Sequence, residues 1–253
     1  MSQEASINAV HQAVVLCAGQ GRRLLPLTRD LPKTLLDLGS GRTVLDHVLG
    51  TLAESGVSRT RLVVGHASEE VGRRRADFES NYGLEIELID NPDHAVLNNA
   101  YSLWLGLGEI SGDCLVANGD TLLIGAAVRR LIDAPAAGLV LAIDSRKALA
   151  DEEMKVTFDS SGWLTGISKG LDPEKAHGEY VGFARIPDEA IAPFVASLEQ
   201  AWRRDGSLYY EDGIGDFARA HHQVSGVEVG DLPWIEIDTP EDLERAKMMK
   251  WHS

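Results

Sequence analysis

Strand-like and helix-like patterns alternate from Gln12 to Ile143, and that alternation limits the fold more than any other feature of the chain. Gln12–Ala18 is a short apolar run followed by glycine. Val44–Glu54 has helical spacing, with Val44, Leu45, Val48, Leu49 and Leu52 on one stripe. Arg61–Val64 is apolar again, Glu69–Ser80 is polar and helix-compatible, and Leu84–Ile89 alternates. Asn99–Leu107 has the pattern of a helix, Cys114–Ala117 of a buried strand, Ile124–Ile132 of a helix and Gly138–Ile143 of another strand. Short apolar strands separated by helices form a parallel sheet covered on both faces, because each crossover lays a helix on the sheet. The expected fold is α/β, a Rossmann-like, mostly parallel sheet flanked by helices.

The pattern changes near Asp144. Met154–Phe158, Trp163–Ser168 and Glu179–Ile186 look like strands joined by turns such as Asp159-Ser160-Ser161-Gly162, without helices between them. A small antiparallel lobe is expected there. Glu189–Trp202 is helical, Asp205–Gly215 is a loop rich in Tyr, Asp and Gly, and Asp216–His221 follows. A strand, Trp234–Ile237, and a helix, Pro240–Met249, close the chain. At 253 residues one large domain suits better than two full ones. It divides into 12–143, 144–230 and 231–253.

Charge narrows the partners. Lys plus Arg number 24 and Asp plus Glu 39, a net charge of −15. Phosphate backbones and anionic bilayers both want cationic surface, so nucleic acid and membrane surfaces are disfavoured. A small anionic substrate needs a local cationic pocket that overcomes the global field. No apolar run approaches the ~20 residues of a bilayer span, and Met1–Gln12 is polar, without a signal-peptide core. Cys17 and Cys114 both lie in apolar runs, as reduced core thiols of a cytoplasmic protein do. His221 and His222 are adjacent, and no histidine pair has metal-ligand spacing. A homo-oligomer stays open.

Such a pocket has a candidate. The first strand runs into Leu16-Cys17-Ala18-Gly19-Gln20-Gly21-Arg22-Arg23-Leu24-Leu25-Pro26-Leu27-Thr28. Glycines after a strand let backbone N–H groups approach phosphates. A plain tight turn is the competing reading. Leu24 occupies the place of the third glycine of a dinucleotide fingerprint, and the G-K-[ST] of a P-loop is absent. Arg22, Arg23, Arg29 and Lys33 follow closely in an otherwise acidic chain, and a triphosphate needs such neutralisation. A solvated basic loop is the alternative, for Arg22 and Arg29 above all. Pro32 disfavours helix at Leu31, so Lys33 is expected in an extended stretch.

The stretch Leu16–Leu35 resembles the signature of sugar-phosphate nucleotidyltransferases, L-A-A-G-x-G-x-R-L-x-P-L-T-x-x-x-P-K-x-L, with Cys17 in place of the first alanine. The resemblance implies nucleotide binding by Leu16, Ala18, Gly19, Gln20, Gly21 and Arg22. It also implies contacts from Arg23 and Lys33 to the triphosphate and the departing pyrophosphate. Residues 12–143 become the nucleotide-binding half, 144–230 an acceptor-binding lobe and 231–253 a closing strand and helix.

Two acidic sites complete the reading. Asn118-Gly119-Asp120 follows the strand Cys114–Ala117, and a carboxylate at the carboxyl end of a parallel strand lies where such sheets bind ligands. A turn aspartate is the plain alternative. In Trp234-Ile235-Glu236-Ile237-Asp238 the period-two alternation puts both carboxylates opposite the isoleucines. Thr239, Pro240 and Asp242 already supply the next helix with its cap, which leaves Asp238 without a structural task. Carboxylates from two distant strand ends suit Mg²⁺, which prefers few protein oxygens and shares itself with phosphates. The family pattern matches at both, and implies a metal role for Asp120 and Asp238 with Glu236 as auxiliary, and a nucleotide contact at Asn118.

Asn98-Asn99-Ala100-Tyr101-Ser102-Leu103, Met154-Lys155-Val156, Ile167-Ser168-Lys169, Gly178-Glu179-Tyr180-Val181-Gly182 and Trp234–Leu243 resemble the bacterial choline-phosphate and phosphonate cytidylyltransferase branch. The resemblance implies that Lys169 meets the acceptor phosphate; Lys155 is a weaker candidate. An ammonium head would favour acids and aromatic faces, and Glu179, Tyr180, Tyr210 and Trp234 are available, with Tyr209, Glu211 and Asp212 beside them. A structural loop is the competing reading of that last cluster. The function implied is Mg²⁺-dependent transfer of CMP from CTP to a small phosphate or phosphonate acceptor. A sugar-1-phosphate nucleotidyltransferase using another nucleotide and a non-catalytic nucleotide-binding regulator are the alternatives.

Overall fold

Alternate residues of the first strand bury themselves on opposite faces, and the rest of the fold is built outward from that strand. In β1 (Gln12–Cys17) Ala13, Val15 and Cys17 join one core and Val14 the other. Side chains alternate across a sheet, so a strand buried on both faces must be apolar throughout. The computed structural model describes residues 10–39, 41–135, 138–220 and 223–251.

β1 pairs in parallel with β2 (Arg59–Val64) on one side and β4 (Cys114–Asn118) on the other, and β3 (Glu85–Asp90) pairs in parallel with β2. Beyond β4 lie β9 (Gly178–Ile186), β6 (Leu139–Asp144) and β10 (Val224–Glu228), giving the order β10-β6-β9-β4-β1-β2-β3. β9 is antiparallel to both neighbours, and the other strands of this path share one direction. All its residues are buried, as befits a central strand. β7 (Lys155–Phe158) and β8 (Leu164–Ser168) form an antiparallel hairpin that joins the sheet through β9. The expected antiparallel patch is therefore present, and segment 144–230 also supplies two strands to the main sheet.

Helices cover both faces. α1 (Val44–Glu54), α2 (Ser68–Tyr82), α4 (Gly125–Asp133) and α7 (Pro240–Met248) lie on the side of Val15. α3 (Asn99–Leu107), α5 (Asp188–Arg204) and α6 (Tyr210–Arg219) lie on the side of Val14. Thr43 and Asp46 close a capping box on α1. Thr239 and Asp242 do the same for α7, with Pro240 in its first turn.

Three elements depart from the sequence reading. α6 begins at Tyr210, inside the segment read as a loop. Its glycines pack rather than turn: a Cβ on Gly213 would lie 2.7 Å from Leu198 Cδ2 of α5. Strand β5 (Thr121–Leu123) was too short to show a period, and it pairs antiparallel with β11 (Trp234–Glu236) in a separate two-stranded sheet. β10 was hidden by its glycine and mixed polarity. His221, where the sequence ends a helix, and His222 lie outside the described residues.

Candidate active site

The strand order reverses between β1 and β4, so the loops leaving their carboxyl ends diverge and open a crevice. A cavity of about 710 Å³ lies there. Leu16, Ala18 and Gly19 line it from the end of β1, and Asn118 and Asp120 from the end of β4. Gly119 lets the two loops meet: a Cβ would lie 2.6 Å from the Leu16 carbonyl. Thr28, fully buried, donates its hydroxyl to the Gly21 carbonyl at 2.8 Å and holds the glycine loop closed.

The small sheet brings the distant carboxylates together. β11 pairs Glu236 with Thr121, and the Ile237 N–H donates to the Asp120 carbonyl at 3.0 Å. Ile235 and Ile237 are buried, which turns Glu236 and Asp238 to the cavity. Oxygens of Asp120, Glu236 and Asp238 all lie within 4.8 Å of one another.

Two cations enter this cluster. Lys33 Nζ bonds Asp120 Oδ2 and lies 3.0 Å from Asp238 Oδ1. Arg23 Nη2 donates to Asp238 Oδ2 at 2.7 Å. Burial opposes the charge on Lys33, but Asp120 and then Asp238 outweigh it and hold the ammonium above the usual lysine range. Burial raises Asp238 too, yet Lys33 and Arg23 bring it below the ordinary carboxylate range. Glu236 has no such pairing: burial, then Asp120 and Asp238, push it up to about 8. Lys33 opens a one-turn 3-10 helix (Lys33–Leu35) rather than an extended stretch; only Pro32 before it is extended.

The donor set fits a hard divalent cation. It is all carboxylate oxygen, and Asp120 Oδ1 is buried without a hydrogen-bond partner.

Lys169, Glu179, Tyr180 and Trp234 line the same cavity. Trp234 Nε1 donates to Asp144 Oδ2 at 2.8 Å. Lys147, which the sequence reading passed over, lies 2.7 Å from Glu179 Oε2. It lies in the loop that follows β6, three residues beyond the strand end at Asp144. Asn98 caps α3 and binds the Ser207 carbonyl, while Asn99 accepts from the Tyr210 N–H. Asn98 ties α3 to the loop before α6 and Asn99 ties it to α6 itself, and both line the cavity.

Some expected residues lie elsewhere. Lys155 is wholly buried, and its ammonium donates to the carbonyls of Ala150, Asp151 and Glu153 at 2.7 to 3.2 Å. It holds the loop before β7 instead of facing an acceptor. Tyr210 is likewise buried, donating to Asn118 Oδ1 and sharing a hydrogen bond with the Tyr180 hydroxyl, both at 3.0 Å. Its neighbour Tyr209 lines the cavity instead. Gln20, Gly21 and Arg22 stay outside the lining, with Arg22 Nε bonded to Gln20 Oε1. Burial pushes the Cys17 and Cys114 thiols up to about 12, which makes them inert core residues.

Residues 13–224 match the model of the MobA-like NTP transferase domain. The chain belongs to this family. Among relatives of this NTP transferase domain is a CMP-5'-(3-aminopropyl)phosphonate synthase of Streptomyces rubellomurinus, 33% identical over 93% of the chain and 38% of the relative. Another is a bifunctional IPC transferase and DIPP synthase of Aquifex aeolicus, 32% identical over 94% of the chain and 51% of the relative. The chain thus spans about half or less of the length of these curated relatives. The fold is similar to that of an inositol-1-phosphate CTP transferase from T. maritima, at a TM-score of 0.80 and 21% identity over 94% of this chain and 95% of that one. A CTP:phosphocholine cytidylyltransferase from Streptococcus pneumoniae shares it at 0.75 and 22%, over 94% and 98%. Among the described residues no helix is long and apolar enough to cross a membrane.

Proposed function

We propose that the protein is a Mg²⁺-dependent cytidylyltransferase that transfers CMP from CTP to a small phosphate or phosphonate acceptor and releases pyrophosphate. The observation that supports this most is the convergence of Lys33, Arg23, Asp120, Asp238 and Glu236 in one crevice at the strand switch. A relative named as a CMP-5'-(3-aminopropyl)phosphonate synthase and a structural neighbour named as an inositol-1-phosphate CTP transferase favour CTP and that acceptor class. In this reading residues 12–143 bind the nucleotide, 144–230 the acceptor, and 231–253 bring Asp238 to the metal. Two buried reduced thiols suit a cytoplasmic enzyme.

Asp120 and Asp238, with Glu236 beside them, would hold Mg²⁺, which supplies charge neutralisation on phosphate oxygens when bound. An acceptor oxyanion attacks the α-phosphorus of CTP in line. The bond from that phosphorus to the bridging oxygen breaks, and pyrophosphate leaves with the electron pair. The attacking oxygen is already an anion, so no general base is required. The protein contributes positioning and charge. Lys33 and Arg23 stabilise the charge that collects on the leaving pyrophosphate, with the glycine loop at Ala18 and Gly19 cradling the phosphates. Lys169 meets the acceptor's acid group, as a point-charge partner for its oxygens.

The test is pyrophosphate release with Mg²⁺, crossing CTP, UTP, GTP, ATP and dTTP against phosphorylated amines, aminoalkylphosphonates, inositol phosphate and glucose 1-phosphate. Release with CTP and a small phosphate or phosphonate is expected. Release only with a sugar 1-phosphate and another nucleotide would overturn the reading.

A further inference from the structure

The acceptor end of the cavity has more anions than its cations satisfy. Lys147 is engaged by Glu179 at 2.7 Å and Glu153 at 3.2 Å. Lys169 has Glu152 3.9 Å away. Asp144 accepts from Trp234 Nε1 and from the Arg146 N–H, both at 2.8 Å. Glu211 is the carboxyl left over. It stands in the first turn of α6, lines the cavity and is 6% exposed. Its Oε2 is shielded from water and has no hydrogen-bond partner. The adjacent Tyr210 hydroxyl is spent on Asn118 and Tyr180. Burial pushes the Glu211 carboxyl up to about 8; its own backbone N–H, then Lys169 and Tyr210, offset only part, and Asp212 adds to the rise. A buried acceptor without a donor is a cost that a ligand can relieve.

The aromatic faces around it are already taken. Lys147 Nζ sits 5.5 Å from the centroid of the Trp234 ring, and Lys169 Nζ 5.8 Å from that of Tyr209. Tyr180 is 3% exposed and meets Tyr210 edge to face, with centroids 6.1 Å apart. A quaternary ammonium has no N–H and is recognised by open aromatic faces. A primary ammonium brings three donors and a positive charge, which is what Oε2 lacks.

We propose that Glu211 receives a primary ammonium on the acceptor, so that the protein selects aminoalkyl phosphates or phosphonates over quaternary and uncharged analogues. This rests on the preceding reading for the acid end of the acceptor, which Lys169 meets, and adds the opposite end. The acceptor would lie between a cation and an anion of the protein, its own charges reversed against theirs.

The test measures both binding and turnover, on the full chain with Mg²⁺. Phosphoethanolamine, phosphocholine and ethyl phosphate form one series; 2-aminoethylphosphonate, its trimethylammonium analogue and propylphosphonate form another. Calorimetry should rank the amine tightest in each series, by about ten- to a hundredfold, the worth of a hydrogen bond to a charged group. With CTP, kcat/KM should follow the same order. Equal binding across a series, or preference for the quaternary analogue, would overturn the proposal. Glu211→Gln should collapse the preference, with the ratio between amine and uncharged analogue falling towards one; an unchanged ratio would also overturn it. If no acceptor yields pyrophosphate with CTP, the preceding reading fails, while the calorimetric ranking still decides the role of Glu211.

Discussion

The two ends of the cavity solve opposite electrostatic problems. At the β1–β4 end, Lys33 and Arg23 close on Asp120 and Asp238, so cations and carboxylates hold one another in place. At the α6 end, Glu211 is buried with an acceptor atom unmet. The first end has its cations fixed before any ligand arrives, although Asp120 Oδ1 is buried there without a hydrogen-bond partner; fixed charge is what stabilisation of a leaving group needs. The second is left unfinished, which is what discrimination among acceptors needs, because an unpaired buried group penalises every ligand that fails to pair it.

The largest effect should come from breaking the organised end at its centre. Lys33→Ala removes the ammonium shared by both aspartates. We expect kcat to fall about 10²- to 10³-fold, the usual loss for one preorganised charge at a transition state. The unfolding transition should remain cooperative in circular dichroism. A variant that keeps most of its pyrophosphate release would remove Lys33 from the chemistry. Arg23→Ala should do less, since its side chain is 60% exposed and water screens it. A loss of about tenfold in kcat/KM, growing smaller at high salt, is expected. A salt-independent loss larger than that of Lys33→Ala would reverse the ranking.

How much of this was legible in the sequence differs between the two ends for the same reason. Gly19, Arg23 and Lys33 sit in one contiguous signature, and Asp120 and Asp238 each end a recognisable strand, so local pattern sufficed. The pairing that unites them was not legible, because β5 is three residues long and shows no period. Around Lys169 and α6, contacts cross between distant segments. Lys155 looked like a phosphate contact because an exposed strand lysine and a buried one read alike; only the three carbonyls around its ammonium tell them apart. Tyr210 and Tyr209 are neighbours in a segment that reads as loop. The helix beginning at Tyr210 sends one into the core and leaves the other on the cavity. Helical or extended backbone decides which neighbour faces inward, and glycines at 213 and 215 hid the helix, the first of them serving its packing on α5.

Smaller effects test the link between the ends. Tyr210→Phe leaves Asn118 and Tyr180 each short of one hydrogen-bond partner in a buried site. A cost of about 1–2 kcal/mol is expected, seen as a fall in Tm of roughly 2–8 °C for a chain of this size. KM for CTP should rise through Asn118 more than kcat falls. An unchanged Tm would mean that water replaces the hydroxyl.

A slope of stability with pH separates the two carboxyls. Glu211 and Glu236 are both pushed up to about 8 by burial, against an ordinary value near 4.5 in the unfolded chain. Between those values the folded state binds more protons than the unfolded one. Stability must then fall as pH rises through this window, and level off above it. Without ligands, Tm should decline from pH 5 towards about 8. Glu211→Gln should remove part of that decline at any metal concentration. Added Mg²⁺ should remove the part owed to Glu236 and leave that of Glu211 in place, while phosphoethanolamine should do the reverse. A Tm that rises over the window, or a decline that Mg²⁺ alone abolishes, would show that Glu211 is already paired and that the two ends of the cavity do not differ as described.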